Sequence, residues 1–296
     1  MKKILNLEWV ATGRDINMVE PVLTYLEKTK NYLVIRDSIH NALFKIFKYK
    51  PDFLIIADTR GANINFEINK LCSLLGIKVI SFTCEGDFRE DDDFETMFWG
   101  WNKDKIIYED LLLVWSDRTL DLLKKNNSIS SSELKNKVRV VGYSGIDKYF
   151  MKGIDLKSKL DLKSYKKIIL ITGFNFDTFG ESWEKYKLQL KDTFPKKIID
   201  HYDKVRVKFY RKSVKKVNEI YSQIINDHKN IFFLLKTHPG MINIRETEFD
   251  GIDFKNSKII DNDFDISDII KASDLLISFE STTCLESWLV NKPTLL

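Results

Sequence analysis

The sequence predicts an α/β protein made of two doubly wound parallel sheets, each in its own domain. Apolar segments of strand length alternate with amphipathic segments of helical length along most of the 296 residues. The apolar segments are continuous, as expected for strands that are buried on both faces of a parallel sheet. A lysine-rich stretch interrupts the alternation at residues 151–166, and we predict a linker there between domains at residues 1–150 and 167–296.

Six strands and four helices are predicted in the first domain. Pro51 and Gly76 stand just before two of the strands, where they end the preceding helices. The strands are expected at Lys3–Val10, Tyr32–Ile35, Asp52–Ala57, Lys78–Thr83, Leu111–Trp115 and Val138–Val141. The helices are expected at Asn17–Lys30, Asn41–Lys48, Asn63–Leu75 and Asp117–Lys125.

The second domain resumes the alternation, with one long insertion after its first strand. Its strands are expected at Lys167–Thr172, Ile231–Lys236, Ser257–Ile260, Asp274–Phe279 and Pro293–Leu296. Its helices are expected at Ser213–His228, Ile266–Ala272 and Thr282–Val290. A doubly wound domain normally continues with helices after such a last strand, so we expect this domain to be incomplete at Leu296. We expect the two domains to face each other across a cleft lined by strand ends.

Composition narrows the functional classes. Hydrophobic residues make up 44% and charged residues 30% of the chain, values typical of a soluble globular protein. No apolar run reaches the ~20 residues that cross a bilayer. Cys72, Cys84 and Cys284 are too few and too widely spaced for a disulfide framework or a zinc knuckle, which fits a reducing cytoplasm. The net charge of +4 is small beside 47 basic and 43 acidic side chains, so nucleic acid is not an expected partner.

Basic and turn-forming residues end the strand predicted at Ile231–Lys236. Lys236 and His238 put a cation and an imidazole at its carboxyl end, and Pro239 and Gly240 turn the chain there. Ligands of open parallel sheets bind at this edge. A histidine there can hold a phosphate oxygen or protonate a departing phosphate, so we interpret His238 as functional rather than as a simple turn residue.

Hydroxyl side chains follow the strand predicted at Asp274–Phe279. Ser281 and Thr282 precede a helix whose N-terminal amides and dipole favour an anion such as phosphate, and Glu286 could reach a ribose. A simpler interpretation is that Thr283 and Glu286 form a capping box that only begins the helix. Both interpretations stay open, because a capped helix N-terminus can still bind an anion.

Carboxylates follow the strand predicted at Lys78–Thr83. Glu85 and Asp87 flank Gly86, and a carboxylate at this edge is a candidate general base for an acceptor hydroxyl. The sequence alone does not decide which of these two carboxylates is the base. Glu85 is preferred because it directly precedes the glycine, and Asp87 is then an acceptor-side residue.

Glycines also follow the first strand of each domain. Gly13 and Arg14 are predicted on the acceptor side, and Gly173 and Asn175 on the donor side. Glycine at such a turn allows the backbone to approach a ligand closely. No Walker-type loop, metal-ligand cluster or serine-nucleophile elbow is present, which counts against ATPases, zinc enzymes and α/β-hydrolases. No cofactor and no metal is expected.

Aromatic and basic segments allow two interpretations each. Phe98, Trp99 and Trp115 could stack on a sugar ring, but packing in the core is the default for such residues. The densest basic segment, Lys204–Lys216, is predicted as a solvated helix face. Its alternative role is docking to anionic lipid headgroups.

The strand-end motifs together resemble those of GT-B glycosyltransferases that build bacterial surface polysaccharides. The chain is most similar to enzymes that use cytidine-activated donors, namely bacterial sialyltransferases, Kdo transferases and the CDP-glycerol transferases of teichoic acid synthesis. Glu85-Gly86, His238-Pro239 and Ser281-Thr282 match, in order, the acidic-Gly, His-Pro and hydroxyl motifs of the sialyltransferases. Cys84 stands where that family usually has a second carboxylate.

The resemblance implies two Rossmann-like domains in a GT-B arrangement and a metal-independent glycosyltransferase. It implies Glu85 as the base, His238 as the group that assists the phosphate leaving group, and Ser281 with Thr282 as phosphate ligands. The expected partners are a nucleotide-sugar donor, with a cytidine nucleotide preferred, and a glycan or lipid-linked acceptor of capsule or lipopolysaccharide synthesis.

Two other functions are compatible with the same motifs. A nucleotide-sugar 2-epimerase-like enzyme shares the architecture and needs no acceptor. A non-catalytic scaffold would bind a nucleotide sugar without turnover. For each of these we expect a cytoplasmic protein, and peripheral association with the inner face of the membrane stays open.

Overall fold

The chain forms two compact units, Met1–Asp147 and Lys148–Leu296, in a computed structural model. The structure describes residues 1–8, 14–58, 60–84, 86, 94–125, 129–143, 145–174, 187–188, 196–238, 248–260, 264–279 and 281–296. In these ranges no helix is long and apolar enough to cross a membrane.

Unit 1 contains a parallel sheet whose described strands follow the order β2-β1-β3-β4-β5-β6. The strands are β1 Lys2–Glu8, β2 Tyr32–Ser38, β3 Phe53–Asp58, β4 Lys78–Thr83, β5 Leu111–Val114 and β6 Val138–Val140. The helices are α1 Arg14–Lys28, α2 Ala42–Tyr49, α3 Asn63–Leu74, α4 Asp117–Lys124 and α5 Ser131–Lys137. A 3₁₀ turn covers Ile39–Asn41, and a π-helical turn covers Phe94–Trp99.

Helices cover both faces of the unit 1 sheet. Met18, Val19 and Leu23 of α1 pack on one face, together with Ile4 and Phe82 of the strands. On the other face a separate cluster brings α2 and α3 together with β1, β3 and β4. The strands are apolar on both sides because both sides are covered, which is why their sequences do not alternate in polarity. The strand order changes direction between β1 and β3.

Unit 2 contains a second parallel sheet, with its described strands in the order β11-β10-β7-β8-β9. The strands are β7 Lys167–Thr172, β8 Ile231–Lys236, β9 Ser257–Ile260, β10 Leu275–Ser278 and β11 Thr294–Leu295. The helices are α6 Asp147–Phe150, which begins at the last residue of unit 1, α7 Leu156–Lys159, α8 Lys196–His201, α9 Lys208–Asp227, α10 Ile266–Ala272 and α11 Thr283–Leu289. A π-helical turn covers Tyr202–Val207.

The unit 2 sheet has the strand order of a Rossmann domain. Starting from its first strand, β7, the chain adds β8 and β9 on one side and then β10 and β11 on the other. The direction therefore reverses between β7 and β10. Ile171, Phe233 and Leu235 of the sheet pack with Ile225 of α9 and with Phe249 in the core.

The prediction of two doubly wound α/β domains is confirmed. The segment predicted as a linker, residues 151–166, contains α7 and lies within unit 2. Phe98 and Trp99 pack with Phe94 in the core, so the default interpretation of these aromatic residues is correct. Among the described basic residues of 204–216, Lys212, Lys215 and Lys216 are exposed on α9, as a solvated helix face requires.

Helix α5 was not predicted. Its sequence, Ser131–Lys137, has one buried apolar residue, Leu134, so it shows no amphipathic period. A weaker signal was present: Ser130 Oγ accepts a hydrogen bond from the Glu133 amide at 3.1 Å. A serine followed three residues later by a glutamate is the capping-box pattern.

Candidate functional site

Three polar residues form a row across the carboxyl ends of β10, β7 and β8. The strand register pairs Ser278 with Thr172, and Thr172 with Lys236. Thr172 Oγ1 donates a hydrogen bond to Ser278 Oγ at 2.7 Å. This bond joins β7 to β10, where the strand order reverses. Open α/β sheets bind ligands outside the strand ends at such a reversal, so we call Ser278, Thr172 and Lys236 the switch-point row.

Lys236 and His238 are the basic residues at this edge. The Lys236 side chain is buried, and its ammonium donates a hydrogen bond to the Thr237 carbonyl oxygen at 3.1 Å. Burial, and secondly the charge of Lys236, lower the pKa of His238 below its ordinary 6.5. His238 is therefore neutral near pH 7, where it can donate one N–H, while Lys236 supplies the positive charge.

Gly173 lies against a buried carboxylate that sequence analysis did not single out. The Gly173 amide donates to the Lys236 carbonyl oxygen at 2.8 Å, which holds the turn to the end of β8. A Cβ on Gly173 would lie 2.3 Å from Glu248 Oε1. Glu248 Oε1 in turn accepts a hydrogen bond from the Phe174 amide at 2.7 Å. A side chain at this position would have to displace the Glu248 carboxylate, which occupies that space.

Glu248 is held away from water by its surroundings. Its side chain is 2% exposed, and burial raises its pKa. Glu248 Oε2 has no hydrogen-bond partner among the described residues. Asn218 of α9 holds the backbone of this segment by donating to the carbonyl oxygens of Glu248 at 3.0 Å and Asp250 at 2.8 Å. Burial and the nearby Glu248 charge raise the pKa of Tyr221 to about 12.

The hydroxyl segment after β10 begins a short helix in a way that differs from the predicted capping box. Helix α11 starts at Thr283, and the side chain of its N-cap, Thr282, makes no capping hydrogen bond. Instead, Ser281 Oγ accepts from the Thr283 amide at 3.2 Å and lies 2.8 Å from Thr283 Oγ1. Glu286 is buried on the same helix, at 5% exposure. With seven residues, α11 has only a small dipole for binding an anion.

Several predicted site residues lie outside the described part of the chain. These are Gly13, Glu85, Asp87, Asn175, Pro239 and Gly240. Arg14 is the first residue of α1, but its side chain is also outside the description. Their predicted roles stay predictions.

Gly86, between the two predicted acidic residues, is described and buried. A Cβ on Gly86 would lie 2.2 Å from Trp115 Cδ2, so the indole ring occupies the space beside this backbone. The Trp115 indole N–H donates to the Thr83 carbonyl oxygen at 2.7 Å, and the ring centroid lies 4.3 Å from that of Tyr143. Trp115 therefore packs on the chain that leaves β4.

A second polar group missed by the sequence analysis lies at the carboxyl end of β3. Arg60 Nη1 contacts Glu109 Oε1 and lies 3.4 Å from Asp58 Oδ2, while Asn69 Nδ2 donates to the same two oxygens at 3.0 and 2.9 Å. We call Asp58, Arg60, Asn69 and Glu109 the Arg60 cluster. All four are buried. Burial raises the pKa of Asp58 and lowers the pKa of Arg60, since both lose hydration.

No protein-family model matches the sequence. No curated protein matches it either. In the described part of the chain, no three His, Cys, Asp or Glu side chains are grouped so as to hold a metal ion.

Solved structures share the fold over the whole chain. The S. aureus MnaA–UDP structure is 14% identical with a TM-score of 0.64, and the match covers 100% of this chain and 79% of that one. The UDP-GlcNAc 2-epimerase from Neisseria meningitidis bound to UDP-GlcNAc is 14% identical with a TM-score of 0.59, covering 100% and 82%. The fold is GT-B-like. The wall teichoic acid polymerase TagF, in a variant soaked with CDPG, is also similar, at 12% identity, a TM-score of 0.52 and coverage of 99% and 69%.

Proposed function

We propose that this protein is an enzyme that processes a nucleotide sugar, and that it binds the donor phosphate at the carboxyl edge of the unit 2 sheet. The observation that carries the proposal is the switch-point row, with Thr172 and Ser278 bonded across the strand reversal and Lys236 beside them. Hydroxyl donors and a lysine ammonium are groups that bind phosphate oxygens. UDP, UDP-GlcNAc and CDPG in the similar structures support the ligand class.

The proposed reaction is glycosyl transfer to a surface-glycan acceptor. Glu85, or Asp87 in its place, takes the proton of the acceptor hydroxyl, whose oxygen attacks the anomeric carbon of the sugar. The bond between that carbon and the donor's phosphate oxygen breaks, and the nucleotide leaves with the bonding electrons. Lys236 stabilises the negative charge that develops on the leaving phosphate, and the neutral His238 donates an N–H to it. Both interactions lower the barrier because they strengthen as this charge develops in the transition state.

Other predicted residues would bind the rest of the donor. Ser281 and Thr282 are proposed to contact the phosphates, together with the turn at Pro239 and Gly240, and Glu286 is proposed to contact the ribose. Gly173 and Asn175 would lie beside the donor. Gly13 and Arg14 would lie beside the acceptor. A cytidine nucleotide stays the preferred donor type from the sequence motifs.

Epimerisation of a nucleotide sugar is the second candidate. It is favoured by the fold comparison, because the structures of UDP-GlcNAc 2-epimerases reach TM-scores of 0.58 to 0.59 whereas the TagF polymerase reaches 0.50 to 0.52. This reaction requires the same phosphate site but no acceptor. Incubation with the donor alone separates the two, since only an epimerase converts it without a second substrate.

The proposal is tested by nucleotide binding and by turnover. A ligand that binds only the folded state raises the melting temperature. At a ligand concentration of 100 times Kd, it increases the free energy of unfolding by about 2.7 kcal/mol. We expect selective stabilisation by one of CMP, CDP, UDP or GDP, or by one of their sugar conjugates. The His238→Ala variant should not be stabilised by that nucleotide, and its turnover should be reduced more than ~100-fold.

The matched control is His228→Ala, which removes an exposed histidine of the same unit. It should leave both binding and turnover at wild-type values. Wild-type turnover in the His238 variant, or no stabilisation by any nucleotide, would contradict the proposed site.

A further inference from the structure

Unit 1 presents an apolar surface where α2 and the end of α3 meet the solvent. Leu43, Phe44 and Phe47 of α2 are 60%, 63% and 58% exposed, and Leu74 and Leu75 are 73% and 48% exposed. We call these five residues the apolar face. The opposite side of α2 is also apolar, since Ala42 and Ile46 are buried in the core. Contiguous apolar surface of this kind marks an interaction site in a folded protein.

Lysines border the apolar face. Phe47 and Leu75 line one groove of about 570 Å³, whose rim carries Lys2, Lys50 and Lys78. On the other side of Phe47, the Lys48 ammonium lies 5.3 Å from the centroid of the Phe44 ring. The long lysine side chains thus follow the aromatic surface and end in charge around it.

Some of these lysines are paired with carboxylates and others are not. Lys45 pairs with Asp37, and Lys78 pairs with Asp110 at 2.7 Å. Asp52, in the groove, accepts a hydrogen bond from the Lys3 amide at 2.7 Å. Within the described ranges, Lys2, Lys48 and Lys50 have no carboxylate partner. The border of the apolar face therefore has a net positive charge, because these three lysines outnumber the carboxylate of Asp52.

We infer that the apolar face docks on the surface of an anionic lipid bilayer. Phenylalanine and leucine side chains can enter the boundary between headgroups and acyl chains, while the bordering lysines reach the lipid phosphates. A second copy of this chain fits less well, because a symmetric interface would bring two lysine borders together. An anionic bilayer is complementary to this face, because its acyl chains are apolar and its headgroups are negatively charged.

The apolar face lies at the opposite end of the unit 1 strands from their carboxyl ends. The groove is formed by the residues that lead into β3 and β4, such as Pro51 and Ile77, and so lies at the amino edge of the sheet. The carboxyl edge, where β4 leads to Glu85, is the opposite edge. The inference rests on exposure and charge alone and is independent of the proposed reaction.

Co-sedimentation of the full chain with vesicles tests the inference. We expect binding to phosphatidylcholine vesicles that contain phosphatidylglycerol, and little binding to phosphatidylcholine alone. Phe44→Ser with Phe47→Ser should weaken partitioning more than about tenfold, because two aromatic side chains no longer leave water. Lys48→Glu with Lys50→Glu should weaken it about tenfold or more, and added salt should weaken wild-type binding.

Matched variants on α9 provide the controls. Ile220→Ser replaces an apolar residue that is 45% exposed, and Lys212→Glu with Lys216→Glu reverses charge in the other basic segment. Both should bind vesicles as the wild type does, and all variants should keep the wild-type melting temperature. Absence of binding to phosphatidylglycerol vesicles, or loss in the α9 charge variant but not in the α2 variants, would overturn the inference. A dimer that Phe44→Ser with Phe47→Ser abolishes, without vesicle binding, would assign the face to a second copy.

Discussion

The two sheets reverse their strand order in similar ways, but the polar side chains beside the two reversals differ. Beside the reversal of unit 1, the Arg60 cluster brings two carboxylates to one guanidinium. At the reversal of unit 2, the switch-point row contains two hydroxyls and Lys236, with no carboxylate. A buried carboxylate of unit 2, Glu248, lies just beyond this row, beside Gly173, and accepts a hydrogen bond from the Phe174 amide.

The difference shows that strand topology supplies an edge for ligands while side-chain charge decides what the edge can do. In the Arg60 cluster the charged groups bond to one another and are buried, so its role is to hold β3, α3 and the chain before β5 together. A buried cluster of this kind contributes little net stability when intact but is costly to break. The unit 2 edge has its positive charge beside hydroxyl groups, which suits an anionic ligand.

The largest expected effect is the loss of the guanidinium from the Arg60 cluster. Arg60→Met leaves Asp58 and Glu109 buried without a cation, and we expect the free energy of unfolding to fall by about 3–5 kcal/mol. Urea denaturation measures this loss of unfolding free energy. The control is Arg36→Met, which breaks ion pairs with Glu20 and Glu27 whose side chains are about one-third exposed. It should cost less than about 1 kcal/mol. Equal losses of unfolding free energy in the two variants would contradict the expectation that the buried Arg60 cluster is costlier to break than an exposed ion pair.

The next effect tests the contact between Gly173 and Glu248. Gly173→Ala places a methyl group against the Glu248 carboxylate, and overpacking of this kind costs about 1–3 kcal/mol. Adding Glu248→Ala removes the obstacle, so the alanine at 173 should cost less in that background. A double-mutant cycle measured by urea denaturation gives the coupling, which we expect to exceed about 0.5 kcal/mol. Strict additivity would contradict the contact.

A smaller effect follows from the raised pKa of Glu248. A carboxyl whose pKa is higher in the folded than in the unfolded state stabilises the fold below its usual 4.5, and this contribution is lost as pH rises through the folded value. Glu248→Gln keeps an oxygen for the Phe174 amide and removes the ionisation. The stability of the wild type relative to the Gln variant should therefore fall as pH rises above 4.5. A constant difference across the pH range would show that Glu248 ionises normally.

The smallest expected effect is the pH dependence that His238 adds in unit 2. Because its pKa is lowered in the fold, protonation favours the unfolded state, and stability should decrease as pH falls below 6.5. His238→Ala should reduce this dependence of stability on pH. A bound phosphate favours the protonated imidazole, so a saturating nucleotide should also reduce it. If the nucleotide made the dependence steeper, the anion would not lie near His238.

The local sequence determined where most strands and helices lie. Strands β4, β7, β8 and β9 have the predicted bounds because their continuous apolar runs end in polar or turn-forming residues. Lys236, His238, Ser281 and Thr282 are predicted site residues because strand ends in a parallel sheet share one edge, and their roles stay predictions. Where the apolar period was missing, as in α5, the helix was missed.

Only the tertiary structure determined which polar residues meet. Glu248 reaches the Phe174 amide across 74 positions of the chain, and Arg60 reaches Glu109 across 49. A local pattern shows that a strand is buried but not which strand lies beside it, and strand order decides such contacts. The sequence by itself thus determined two parallel α/β sheets, and it predicts the edge on which a ligand would bind. The fold determined the charge at each strand reversal, because burial brings together groups that are distant along the chain.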